Sequence, residues 1–477
     1  MGATGRQHYA GLLKARNLFA SAAPLASGAL RLPKSKAKLM RQRHGNLLGG
    51  LMLVVGALSS FNSQALDLVQ TYHQALANDA IYTSARYALT AGRETSVQGR
   101  AGLLPQIGLS GAYNRSGDNW NKSTNEYALQ LIQPLYRPAN WEQYEQAKLS
   151  VAGSEVTFFQ AEQDLILRVG QAYFDVLAAQ DVLTFLKAQE SAIAEQLASA
   201  KRNFEIGSAT ITATNEAQAS FDLVLAQEIA ANNNLEVARS TLQQISGQAP
   251  APLATLRPSV KLSAPEPAQI TPWVGIAEQQ NYSVLGQQIS LEAAKRQIKL
   301  KRAGHLPTVD LVASRNFSNI NGNNNQFSNG SGTSNAIGVQ WTIPLYSGGS
   351  VNSEVKQAVA LEDKARSDLE YARRTAALNA RQAYLGVSNG LAQIKALEAA
   401  EISSQSSLDS NKLGYQVGVR INIDVLNAEQ QLFSTRRDLA KVRYDTLMNG
   451  LKLKAATGAL KENDLVQVNT LLVPVYY

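Results

Sequence analysis

The 477-residue chain has no cysteine and only four histidines. Beyond residue 66 it contains no run of about 18 apolar residues. Without cysteine there is no disulfide, no thiolate nucleophile and no site for a lipid anchor after a leader. The two histidines past residue 65, His73 and His305, have no zinc-type spacing, no glycine-rich phosphate loop follows a strand, and G-x-S-x-G is absent. Neither catalysis nor a cofactor is therefore expected. The missing apolar run excludes a membrane-spanning helix, so any contact with a bilayer must be as a barrel or at the surface.

Acidic residues are absent from residues 1–65, where nine basic residues fall. The remainder holds 36 basic against 37 acidic residues, so the high pI belongs to the leading segment and does not indicate a nucleic-acid partner. Within that segment Met40-Arg41-Gln42-Arg43 precedes the apolar run Leu47 to Leu58 and then Ser63-Gln64-Ala65. A positive start, an apolar middle and small residues at the end predict a signal peptide over 40–65, cleaved after Ala65; the N-terminal extension 1–39 reads either as the result of a start codon placed too early or as a transit-type segment.

Along the rest of the chain one programme runs twice. Leu66 to Leu103 reads as a helix stopped by Pro105, and alternating residues then predict a hairpin of two strands, each about ten residues, around the turn-rich 116–125. From Pro138 to Phe204 nothing interrupts a helix of about 100 Å. Its heptad Leu165, Val169, Ala172, Val176, Ala179, Leu183, Leu186 predicts a coiled-coil seam. Gly207 marks a turn, and a return helix runs from Thr212 to Ser246. A proline-rich linker, 250–271, separates this first repeat (66–249) from a second (272–460), and 461–477 forms a C-terminal segment. In the second repeat a helix ends at Pro307, strands alternate around the Gly/Asn/Ser loop 319–335, and a helix runs from Ser350 to Tyr415 before Gly418. Tyr173/Tyr384, Gly207/Gly418, Ala217/Ala428 and Gly247/Gly458 share one offset of 211 residues, which marks an internal duplication.

Each strand pair has one apolar and one small-polar face, as a bilayer-facing wall and a lumen require. Four strands cannot close a barrel, since the smallest have about 8. The chain must therefore oligomerise, two copies giving 8 strands or three giving 12. Long helices carried by an exported protein would bridge an envelope, with the hairpin turns at the far end.

The stretches LLPQIGL (103–109), HLPTVDL (305–311), IPLYSGG (343–349), VNSEVKQA (351–358), GYQVGVRINIDVLNAEQQL (414–432) and LMNGLKLKAATGALKENDL (447–465) together resemble the TolC family of outer-membrane channel proteins, over essentially all of 66–470. The resemblance implies a mainly α protein with a membrane β-barrel: a homotrimer whose 12-stranded barrel, four strands per chain, continues into a periplasmic coiled-coil tunnel. It further implies a passive exit duct for tripartite efflux pumps or type I secretion in the outer membrane, in contact with its lipid. The implied partners are a periplasmic adaptor and an inner-membrane RND, ABC or MFS transporter. By motif match Asp424 would narrow the tunnel as a ring of three, with Asn427 at a second ring position where relatives carry another carboxylate. Tyr415, Arg420 and Thr212 match a network that ties neighbouring coiled coils together in the closed state, although Ala213 stands where a carboxylate is expected beside Thr212. Gly207 and Gly418 would form the turns that an adaptor meets.

Each of these residues has a plainer reading. Asp424 suits a helix N-terminus, Arg420 suits a solvated tip, and the two glycines suit helix C-caps. The basic run Lys295, Arg296, Lys299, Lys301, Arg302 reads as a solvated face, and Trp341 as an interfacial anchor or simply an outward strand residue. A trimeric coiled-coil fibre anchored by a barrel is the alternative to a duct, but a fibre has no need of two barrel hairpins with small-polar inner faces.

Overall fold

In the computed structural model the described residues are 65–116, 122–249, 251–257, 260–322 and 330–473. All lie in the second of two compact units, Asn62–Tyr477. The expected signal peptide and N-terminal extension lie outside the described residues. In chain order the elements are α1 (Leu68–Asn78), α2 (Ala80–Ala101), β1 (Gln106–Ser116), β2 (Lys122–Tyr136), α3 (Pro138–Glu205), α4 (Ile211–Ser246) and β3 (Thr255–Leu256). There follow α5 (Ile270–Gln280), α6 (Tyr282–Arg302), β4 (Thr308–Gly322), β5 (Gly330–Thr342), α7 (Ser350–Gln416), α8 (Asn422–Ala456), α9 (Glu462–Asn469) and β6 (Leu472–Val473). Among the described residues no helix is long and apolar enough to cross a membrane.

The uninterrupted helices expected from Leu66 to Leu103 and up to Pro307 are each broken once. Asp79 leaves helical geometry at φ −66°, ψ 120° and caps α2 by accepting from the Tyr82 N–H at 2.6 Å. Asn281 does the same between α5 and α6, accepting from the Ser283 N–H at 2.9 Å. Both are short polar side chains that offer backbone N–H groups a partner in place of the helical carbonyl. Neither break has a proline or glycine to announce it.

Asp79 also receives a two-pronged contact from Arg168 on α3, at 2.8 and 2.9 Å, and is almost fully buried. The guanidinium, foremost among the causes, holds its carboxyl below the usual range.

The two 100 Å helices, α3 with 68 residues and α7 with 67, run the full distance from the sheet to the hairpin turns. Their neighbours divide that length. α4 (36 residues) and α8 (35) cover the half near the turns, while α2 (22) and α6 (21) cover the half near the sheet. Of the expected heptad of α3, Leu165, Val169, Ala172, Val176 and Leu183 are buried while Ala179 and Leu186 are half-buried; its counterpart on α7 is buried at Ala376, Ala380, Ala383, Val387, Gly390 and Ile394. Small residues let α7 and α8 approach closely: a methyl at Gly390 would collide with Thr446 Oγ1.

Midway lies the main core, around Tyr72, Tyr173, Phe174 and Tyr444. The Tyr173 hydroxyl donates to the carbonyl of Ala254 at 2.8 Å, and the Phe174 and Tyr444 rings stack at 5.6 Å. Leu253 and Ala254 from the proline-rich stretch and Leu465 and Leu472 from the C-terminal segment belong to the same core. There β3 pairs with β6, so these segments brace the middle of the helices.

The four long strands form one antiparallel sheet in the order β1-β2-β4-β5. At 11, 15, 15 and 13 residues they are longer than the expected ten, because the polar stretches read as turns, Lys122–Asn125, Asn319–Gly322 and Gly330–Asn335, continue the backbone ladder. Ladder pairing needs only backbone groups, so it extends past the point where apolar alternation stops. Where the sheet meets the helices, Arg137 reaches from the start of α3 to Asp310 on β4 at 2.7 and 2.6 Å, tying the first repeat to the second.

Replacing Asp79 with alanine leaves Arg168 uncompensated and α2 uncapped. We expect a loss of about 3 kcal/mol, measured as the urea midpoint at fixed protein concentration. Because the folded carboxyl titrates below its ordinary value, the Asp79 contribution is present above that value and fades as pH falls through the depressed one.

Candidate functional site at the hairpin tips

The two hairpins turn by the same hydrogen bonds. In the first, the N–H groups of Ser208 and Ala209 donate to Asn203 O at 2.8 and 3.1 Å. In the second, Val419 and Arg420 donate to Gly414 O at 2.8 and 3.1 Å. Each turn needs a left-handed residue, supplied by Gly207 at φ 77° and Gly418 at φ 78°. The duplication therefore extends to the backbone of the tips.

The structure brings the tips together within one chain. Tyr415 accepts from the Asn203 amide at 3.1 Å, and Asn422, which is buried, accepts from Gln196 and donates to the Ala213 carbonyl at 3.3 Å. Arg420, exposed just before α8, lies 3.8 Å from the half-buried Asp424, four residues further along the second hairpin. The Asp424 carboxylate also accepts from the Ile421 N–H at 3.4 Å, where the apolar Ile421 cannot cap the helix itself. Asn427 is exposed and borders a cavity of about 140 Å³ with Ile193, Val224 and Leu426. Thr212 is exposed in the first turn of α4 and has no side-chain partner among the described residues. Thus Tyr415 joins the hairpins, Arg420 and Asp424 lie together, and Thr212 and Asn427 stand apart from both pairs.

Sequence reasoning overlooked Glu429. It is 1% exposed; its Oε1 lies 3.0 Å from Lys412 Nζ on α7, while its Oε2 is buried without a hydrogen bond. Removal from water pushes its carboxyl upward, opposed by Lys412 and aided by Glu195 on α3. The signal was present: Val425, Ala428 and Leu432 form a buried stripe on which Glu429 also falls. Among the described residues no cluster of three potential metal ligands occurs.

A four-stranded sheet with an apolar face and two open edges, continued by long helical hairpins whose turns meet, defines the protomer of a membrane barrel with a helical extension. Comparisons agree with that class. The model of the family described as outer membrane efflux protein matches residues 71–248 and 273–459, either side of the proline-rich stretch. The outer membrane protein TolC of Escherichia coli (strain K12) is 36% identical over 440 residues, covering 88% of this chain and 89% of that protein. The proteases secretion protein PrtF of Dickeya chrysanthemi is 31% identical over 437 residues, covering 88% and 94%. The crystal structure of the outer membrane protein VceC from Vibrio cholerae superposes with a TM-score of 0.71 at 20% identity, covering 82% of this chain and 96% of that one, and so shares the fold. The chain belongs to the outer membrane efflux protein family.

Because Glu429 titrates above its ordinary value when packed, its packing is most favourable in acid and weakens as pH rises through the raised value. Amide exchange over residues 422–435, taken as the ratio of wild type to Glu429→Gln in the same buffer, should therefore increase as pH is raised from below the ordinary carboxylate range through the raised value of Glu429. A ratio independent of pH would refute this assignment.

Proposed function

We propose that the chain is one third of a passive, gated exit duct in the outer membrane, serving efflux of small molecules, secretion of proteins, or both. The carrying observation is the sheet: β1 and β5 each have one edge without a partner strand, and the sheet has one predominantly apolar face. An unpaired edge is not tolerated in hydrocarbon, so β5 of one copy pairs with β1 of the next. Three copies close a 12-stranded barrel, the number that the family likeness favours over a two-copy barrel of 8.

The long helices then form a tunnel on the periplasmic side, and the paired tips are its gate. Asp424 lines the constriction, with Asn427 as an uncharged second position. Tyr415, Arg420 and Thr212 hold the gate between hairpins. Support for a weakly charged lock comes from Ala213 beside Thr212 and from Arg420, which turns to Asp424 of its own hairpin. Gly207 and Gly418 shape the surface offered to a periplasmic adaptor, which couples the duct to an inner-membrane RND, ABC or MFS transporter. The energy for transport comes from that partner. Residues 40–65 direct export and are removed.

Asp424→Ala removes three carboxylates from the constriction. In planar bilayers it should raise single-channel conductance or weaken block by multivalent cations, by about tenfold for each 1.4 kcal/mol of lost attraction. No change in either would reject Asp424 as the constriction, and folded trimers that never conduct, even with Asp424 and Arg420 both replaced, would reject the duct.

A further inference from the structure

Cross-strand register assigns every described strand residue to one of two faces. The apolar face carries Ile107, Leu109 and Tyr113 of β1, Tyr127, Leu129 and Leu131 of β2, Val309, Leu311 and Phe317 of β4, and Ile337, Val339 and Trp341 of β5. Among the described ladder positions of this face only two are charged, Arg115 and Arg315, and none is acidic. Arg115 stands at the rim beside the strand connection. Arg315 does not: it lies within the apolar band, opposite Leu129 on one side and Asn335 on the other.

The surroundings of Arg315 are ordered along the strand. Toward the helices come Ala313 and Ile337, then Leu311 and Val339. Toward the strand connections come Phe317, whose ring stacks with Tyr127 at 6.3 Å, and Thr333 opposite it. That aromatic pair is two residues from Arg315, roughly 7 Å along the strand. Aromatic rows mark the level of lipid head groups. Arg315 is exposed and has no hydrogen-bond or ion-pair partner among the described residues. A guanidinium at that depth is costly unless its long stem carries the charge outward to an anion.

We propose that Arg315, with Asn335 and Thr333 beside it on β5, holds a phosphate group of a lipid in the leaflet nearest the strand connections. The guanidinium fork matches two phosphate oxygens, and the Asn335 amide and Thr333 hydroxyl add uncharged donors on the adjacent strand. The absence of any acid on the described face makes the charge complementarity one-sided. Three such notches, one per copy, would fix the height of the barrel in the bilayer. This rests on the reading of the apolar face as the lipid-facing wall.

Native mass spectrometry of the detergent-solubilised trimer, titrated with lipid A, phosphatidylglycerol, diacylglycerol or inorganic phosphate, tests it. The phosphate-bearing lipids should be retained and diacylglycerol released. Arg315→Leu should weaken lipid A retention by roughly tenfold, as loss of a charge-assisted contact does, and Arg315→Lys should weaken it less. Equal retention by wild type and Arg315→Leu would overturn the proposal, as would inorganic phosphate binding as tightly as lipid A. Single-channel conductance separates this from the duct reading. Arg315→Leu should leave conductance and ion selectivity unchanged; a change in either would place Arg315 in the pore and overturn the lipid site. Conducting trimers with unaltered lipid retention would leave the duct standing without the site.

Discussion

A bilayer offers no partner to a backbone N–H or C=O, and this constraint governs the whole molecule. Within one chain the sheet ends in two bare edges, at β1 and β5. Closing them requires other copies, which makes the oligomer a condition of the barrel. The same closure explains why each chain carries two hairpins joined by β2 and β4 in the interior of its sheet. It also explains the weight placed on the junction between sheet and helices, where Arg137 and Asp310 join the repeats by two hydrogen bonds.

Away from the sheet a different economy operates. α3 and α7 are too long to be stabilised by a globular core, so burial is distributed along them and handed from one set of neighbours to another. Near the sheet α2 and α6 supply the contacts; near the turns α4 and α8 do. The change of partners occurs at the belt built on Tyr173, Phe174 and Tyr444, braced by the β3–β6 pair. The tips, beyond this belt, are held by smaller clusters and by polar links such as Asn203–Tyr415 and Gln196–Asn422. Regions with little apolar burial open at low cost, which suits the gate proposed there.

Much of this was legible in the residues. Apolar periodicity changes from 2 to 3.6 where strands give way to helices, and the 211-residue offset carries the second hairpin onto the first down to the hydrogen bonds of the turns. The breaks at Asp79 and Asn281 were not legible, because an Asp or Asn within a helical pattern caps a new helix only when tertiary contacts favour the bend. For Asp79 that contact is Arg168, distant in sequence. The strand ends were missed because backbone pairing carries no side-chain signature. At the tip, the motif match named Tyr415, Arg420 and Asp424, but not Glu429, whose burial depends on two other helices.

The amino-acid sequence by itself determined the duplicated programme, the two-faced strands, the lengths of the hairpin helices and the glycine turns, since each follows from local conformational preference and short-range periodicity. Tertiary structure alone decided which residues meet: Arg168 with Asp79, Tyr415 with Asn203 and Lys412 with Glu429, and, by strand register, Arg315 opposite Asn335. Such pairings join residues on separate elements, and only the register of helix against helix and strand against strand sets the distances between them.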